Sequence, residues 1–288
     1  MTDPGGLIGL VLTGSAARVG VEPFFMELIA GMEEGLAPHG ATVLLLVVPD
    51  LEAELATYRR WAGDHTVQAV VVVNLVHDDT RPAHLAALGL PAVLAGRADA
   101  PAFPRVVTDD AGAMTAAVEM LASLGHRVIG RVSGPADLVH TAERSAAMHI
   151  AAARHGVHVH IVEGDYGAAA GVRGVQDLLA AVPAPTAVVF DNDVMAVAAE
   201  QELIRTGVGV PDQVSLLVYD DSPLCELAVP PLSALSIDVH DHGLTLGRAV
   251  LAVLDGAEPV EHPGPPIRVL RRESTGPARV GDTGSVPG

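Results

Sequence analysis

The sequence predicts an α/β chain built as two Rossmann-like subdomains, each around a parallel sheet, with a ligand cleft between them. Three observations carry this. Short runs of Val, Ile and Leu (LLLVV, AVVVVN, AVVF, LLV) are continuous rather than alternating, the pattern of strands covered by helices on both faces. Run after run follows a glycine that ends a helical-period segment: Gly40 before Ala41–Val48, Gly89 before Leu90–Leu94, Gly125 before Arg127–Val132, Gly156 before Val157–Val162, Gly207 before Val214–Tyr219. The pattern repeats for about ten strands and about nine helices, too many for one compact open sheet.

Taken in order, residues 1–6 form a short remnant or linker ahead of the first strand. The first helix shows one apolar stripe, Phe24, Phe25, Leu28, Ile29, Met32 and Leu36, at spacings of three and four. Asp109 or Asp110 is placed to cap a helix over Ala111–Leu124, and Asp193 to cap one over Val194–Thr206. The expected first subdomain covers 7–109 and takes back about 239–264, with its helix His242–Leu254. The second covers 110–238 and takes back about 265–276, with the run Ile267–Leu270. Residues 277–288, rich in Gly, Pro and Ser, read as a disordered tail.

Composition narrows the function. All 17 basic residues are arginine, which excludes a P-loop lysine, a pyridoxal-phosphate Schiff base and a lysine aldolase. Against 35 acidic residues they leave a net charge of −18, so the chain is not expected to grip a phosphate backbone by itself. A lone cysteine, Cys225, excludes an internal disulfide framework and any CxxC site. Residues 1–6 (MTDPGG) do not read as a signal peptide, and no apolar run reaches membrane-spanning length, so a soluble, cytoplasmic protein without a membrane partner is expected.

Parallel sheets bind ligands beyond the carboxyl ends of their strands, which directs attention to Thr13–Phe25, Asn74–Asp79, Gly96–Asp99, Ser133–Arg144, Tyr166, Asp191–Asp193 and Asp220–Asp221. Asn74, and His140 in the loop ahead of Arg144, are candidates on this ground. Asn192 is the better ligand candidate of the Asn192–Asp193 pair, with turn chemistry the competing reading. Tyr166, Phe24, Phe25 and Phe190 lie near strand ends and suit stacking on the apolar face of a sugar; for Phe25 and Phe190 a place in the core is the stronger reading.

Stretches along most of the chain resemble the LacI/GalR family of transcriptional regulators in their effector-binding, periplasmic-binding-protein-like module. The matching stretches are GLIGLVL, PFFMELIAGMEE, LASLGHRVIGRVSGP, TAERSAAM, EGDYGAAAG, PTAVVFDNDVMAVAA, VPDQVSLLVYDDSPL, PPLSALSID and RRESTGP, in that order over about residues 7–276. The resemblance implies that Arg144, at the family's T-x-x-R position, holds ligand oxygens. Against this stands a surface arginine paired with Glu143 or Asp137. It implies that Asp220 contacts the ligand while Asp221 caps the next turn, against both being turn residues, and that Tyr166 stacks on it. Gly96-Arg97 departs from the Asp-Arg of many sugar-responsive relatives, and Ile237 replaces a position that can be polar; Asn74, His77, Asp78, Asp79 and Arg97 are possible compensations. The implied partners are a sugar-like effector, a second copy of the chain, and operator DNA reached only through a helix-turn-helix head absent from this sequence. No cofactor is expected.

Two other readings compete. A solute receptor of a transport system would share the fold. An enzyme is disfavoured, since no GxSxG, HExxH, GxGxxG or paired-carboxylate motif occurs. No metal is expected either: His158-x-His160 and His240-Asp241-His242 lack a third ligand at a recognised spacing.

Overall fold

A computed structural model describes residues 6–14 and 23–279. Most of the expected N-terminal remnant, the 15–22 part of the first loop and residues 280–288 of the expected tail lie outside the described residues. The chain forms two compact units. Unit 1 takes residues up to Thr108, Leu138–His140 and Asp238–Pro266; unit 2 takes Asp109–Asp137, Thr141–Ile237 and the chain from Ile267 on.

Unit 1 is a six-stranded sheet. Its strands are β1 (Leu7–Thr13), β2 (Thr42–Val48), β3 (Ala69–Val72), β4 (Ala92–Ala95), β5 (Arg105–Val107) and the late-arriving β11 (Glu261–Pro263), in the order β11-β5-β4-β3-β1-β2. Every pairing is parallel, with Leu10 level with Leu45 in β2 and with Val71 in β3. β1 is buried from Ile8 to Leu12 and β3 throughout, as continuous apolar runs demand. The LLLVV run departs from that expectation. β2 is an edge strand paired on one side, and Val43–Val47 are only partly buried.

The unit 1 helices are α1 (Pro23–Leu36), α2 (Leu51–Asp64), α3 (Arg81–Leu88) and α9 (Val239–Leu254). Asp50 caps α2 by accepting from Ala53 N–H at 2.9 Å. Gly89 ends α3 at φ 64°, the left-handed conformation that glycine adopts without a Cβ clash. α1 and α9 meet backbone to backbone. Gly31 and Gly35 on α1 face Gly243 and Gly247 on α9, and a Cβ at Gly31 would stand 2.0 Å from the His240 carbonyl oxygen.

Unit 2 repeats the plan with β6 (Val128–Ser133), β7 (His158–Glu163), β8 (Ala187–Phe190), β9 (Ser215–Tyr219), β10 (Ser233–Ser236) and β12 (Arg268–Leu270), in the order β12-β10-β9-β8-β6-β7. Only β12 runs antiparallel. Its helices are α4 (Asp110–Ser123), α5 (Val139–His155, entering from unit 1), α6 (Ala168–Ala180), α7 (Asp193–Arg205) and the single-turn α8 (Pro223–Leu227). Two apolar clusters sandwich the sheet: Met114, Val118, Leu121 and Met148 on one face, Val175, Met195, Leu203 and Cys225 on the other. Asp109 caps α4, accepting from Gly112 N–H at 2.9 Å.

The start of the expected tail is tied down: Ala278 N–H donates to Leu124 O (2.9 Å), and the Gly276 carbonyl accepts from His126 Nε2 (3.1 Å). An apolar-periodicity argument misses this, because the ties run through backbone groups and one histidine. Each sheet reverses strand order once, between β1 and β3 and between β6 and β8. Beyond the carboxyl ends at such a switch point is where open α/β sheets hold ligands.

Candidate functional site

In unit 2 the switch point lies between Ser133, which ends β6, and Phe190, which ends β8. Asp191 follows β8 directly and is fully enclosed. Arg131, in the middle of β6 and equally buried, holds it through Nε (2.7 Å) and Nη2 (2.6 Å), while Gly134 N–H donates to its Oδ2 (3.0 Å). Burial alone would raise the Asp191 carboxyl; Arg131, with help from Arg144, holds it below the usual carboxylate range. Arg131 spends its remaining edge on Ser145 Oγ (2.9 Å). This pair is a foundation shut off from solvent by burial.

Arg144 rises from α5 above that foundation. It is 8% exposed. Its Nε donates to Asp110 Oδ1 (2.6 Å), Nη1 stands 3.9 Å from Asp191, and its guanidinium lies over the Tyr219 ring at 3.4 Å from the centroid. The Tyr219 hydroxyl donates to the same Asp110 oxygen at 2.8 Å. Burial would discourage the charge, but Asp110, Tyr219 and Asp191 stabilise it, so Arg144 is held cationic. The competing surface pairing with Glu143 or Asp137 is not what the structure shows: the ion-pair partner is Asp110, at the start of α4.

Asp220 directly follows Tyr219 and takes a left-handed turn, φ 70°. Its Oδ1 is buried without a hydrogen-bond partner among the described residues. Burial pushes its carboxyl up to about 7; Arg144 opposes the shift, while Asp193, Asp110 and Asp191 add to it. An orphaned acceptor beside a held guanidinium is a place for a ligand hydroxyl to donate.

Tyr166 (φ 65°) is partly buried, its hydroxyl 3.5 Å from Thr141 Oγ1, and its carbonyl accepts from Asn192 Nδ2 at 3.0 Å. The capping assignment reverses. Asn192, not Asp193, caps α7, accepting from Met195 N–H at 3.0 Å. The Asn192 amide therefore braces Tyr166 with one end and the helix with the other. Asp193 instead takes the Ser222 hydroxyl and Val194 N–H, and burial raises its carboxyl. Asp221 pairs with Arg272 at 2.8 Å. Phe190 is completely buried in the core, since its side chain packs among α7 and β9 residues beneath the sheet end. Ile237 is buried too.

Unit 1 holds the other candidates. Asn74 follows β3 in a left-handed conformation (φ 52°), its carbonyl accepting from Arg81 Nη2 at 2.9 Å. Arg81 also grips Asp79 (2.6 Å) and Glu54 (3.1 Å), whose carboxylate takes the Tyr58 hydroxyl. Asp79 is thereby committed to structure. His140 lies in the 138–140 segment, which runs along the loop after β3: Leu138 bridges Val76, and Val139 N–H donates to Leu75 O. Phe24 on α1 meets Phe25 edge to face at 5.3 Å, and Phe25 is buried, as the core reading expected. His77, Asp78, Arg97, Asp99 and Phe103 help line a surface cavity of about 930 Å³. Gly96 has φ 129°, so this backbone does not readily accept the aspartate of the Asp-Arg pattern.

The histidine pairs have local uses. His158 and His160 stack edge to face, and His160 Nε2 donates to Pro183 O at 3.0 Å. His240 bridges Glu27 and Glu34. Among the described residues, no three His, Cys, Asp or Glu side chains form a metal-holding group, and no helix is long and apolar enough to cross a membrane. Sequence reasoning missed Arg131, Tyr219 and the pairing role of Asp110; only the position of Asp191 and Asp110 at element junctions hinted at them.

The family model for the periplasmic binding protein-like domain matches residues 118–275. A crystal structure of a LacI family transcriptional regulator from Bifidobacterium animalis superposes with a TM-score of 0.86 at 30% identity, over 95% of this chain and 98% of that one. The chain belongs to the LacI family. Among its LacI-family relatives, the HTH-type transcriptional regulator CelR of Thermobifida fusca is 29% identical over 263 residues, 88% of this chain and 76% of CelR. A structure of a CelR–cellobiose complex aligns with a TM-score of 0.86 at 27% identity, over 95% of this chain and 86% of that one.

Proposed function

We propose that this LacI-family chain is an effector sensor. It binds a small polar, saccharide-like metabolite at the carboxyl end of the unit 2 sheet, works as a homodimer in the cytoplasm, and passes its ligand state to a DNA-binding head. The observation that carries this is the arrangement of Arg144 on Tyr219, its guanidinium still offering N–H donors, beside the unpartnered Oδ1 of Asp220. A guanidinium donor and a carboxyl acceptor within electrostatic reach of each other suit the hydroxyls of a sugar, and Tyr166 adds an aromatic wall. The cellobiose bound to CelR supports the saccharide class. The ligand acts by its different affinity for two conformations and leaves unchanged, with no nucleophile or general base assigned to the site.

Thermal-shift and calorimetric titration against a saccharide panel test this. A ligand at 100 times its Kd stabilises the chain by ~2.7 kcal/mol, and Arg144→Ala abolishes that gain. Recovery of the ligand unaltered from the saturated protein is expected. A ligand that stabilises Arg144→Ala as much as the parent sinks the site assignment, and turnover sinks the sensor reading.

A further inference from the structure

The unit 2 site carries an unusual charge balance. Four carboxyls gather there, Asp110, Asp191, Asp193 and Asp220, around two guanidiniums. Arg131 is fully buried against Asp191 and Ser145, which leaves Arg144 as the guanidinium placed to meet a ligand. Two of the helix N-termini at these strand ends are occupied as well. On α7, Asn192 takes Met195 N–H and Asp193 takes Val194 N–H at 2.7 Å; on α4, Asp109 takes Gly112 N–H. These are the backbone donors that would otherwise cradle a phosphate.

We infer that the site selects ligands without an anionic group, accepting an uncharged polyol or one bearing an ammonium and rejecting phosphorylated and carboxylated saccharides. This rests on the saccharide reading above and narrows it. An incoming phosphate meets Asp220 and Asp193 with a single half-neutralised guanidinium to offset them. At the few-ångström separations of a bound ligand, like charges repel strongly in a partly dry site. An ammonium at the same point is attracted to the Asp220 carboxylate, which is ionised above a pH of about 7.

The test is isothermal titration with matched probes: glucose, galactose, mannose and cellobiose, then the amino, 6-phospho and uronic forms of whichever sugar binds. The neutral or amino form should bind at least ~10-fold tighter than the phosphate and uronate. Asp220→Asn should narrow that ratio by about tenfold while weakening the neutral form, and Asp193→Asn should narrow it independently should the first variant fold poorly. A phosphate or uronate that binds as tightly as its neutral parent overturns the inference and leaves the saccharide sensor standing. A ratio unchanged in both variants also overturns it, since the exclusion is then steric. Failure of every saccharide to bind overturns the sensor reading and this inference together.

Discussion

At the scale of single residues, the site is a set of side chains whose charges were placed by burial. Asp220 is the clearest case. Its carboxyl sits at about 7 in the folded chain against an ordinary value near 3.8, so the folded state binds the proton more tightly than the unfolded one. The folded chain loses relative stability as pH rises from about 4 to about 7. Asp220→Asn removes that decline, and the variant should be more stable than the parent at pH 8 by on the order of 4 kcal/mol and nearly equal to it at pH 4. Urea midpoints at the two pH values check this; an Asp220→Asn chain less stable at pH 8 refutes it. Residue by residue, legibility followed local context. Asp220, Tyr166 and Asn192 follow strand ends and were visible as candidates. Tyr219 and Arg131 sit inside strands, where an aromatic reads as core and an arginine as an outward-facing solubiliser. Only the approach of Asp110 and Asp191, 109 and 60 residues away, turns them into the floor of a site.

At the scale of elements, the α1–α9 crossing is the feature most sensitive to a single methyl group. Gly31→Ala places a Cβ against the His240 carbonyl and Gly243→Ala places one 2.1 Å from that of Leu28, so each should destabilise unit 1 by about 2–3 kcal/mol as the helices are forced apart. Gly63→Ala near the end of α2 meets nothing within 4 Å and should stabilise by ~0.5–1 kcal/mol. Denaturant midpoints of the three variants decide, and equal effects would refute the close-packed crossing. The central strands and the long helices were legible because continuous apolar runs and three-and-four spacing are strong signals. β11, with the sequence Glu-His-Pro, carries no apolar signal; it exists because β5 offers an open edge. The half-exposed β2 shows the converse, since an apolar run is compatible with an edge as well as a centre.

At the scale of the whole molecule, neither unit is a continuous stretch of chain. A fragment ending at Thr108 keeps β1–β5 but lacks α9, whose glycine face covers α1, and the edge strand β11. Such a fragment should show far less amide-exchange protection in β1 and β3 than the full chain, and adding residues 238–266 through a flexible linker should restore it; full protection in the bare fragment counts against the dependence. The same feature sets a timetable for synthesis. About 200 residues separate the end of α1 from the start of α9, so at ribosomal speeds of about 5–20 residues per second the nascent chain carries an uncovered α1 for roughly 10–40 s. During that interval the first half of the protein is a client for whatever shields apolar helices as they leave the ribosome.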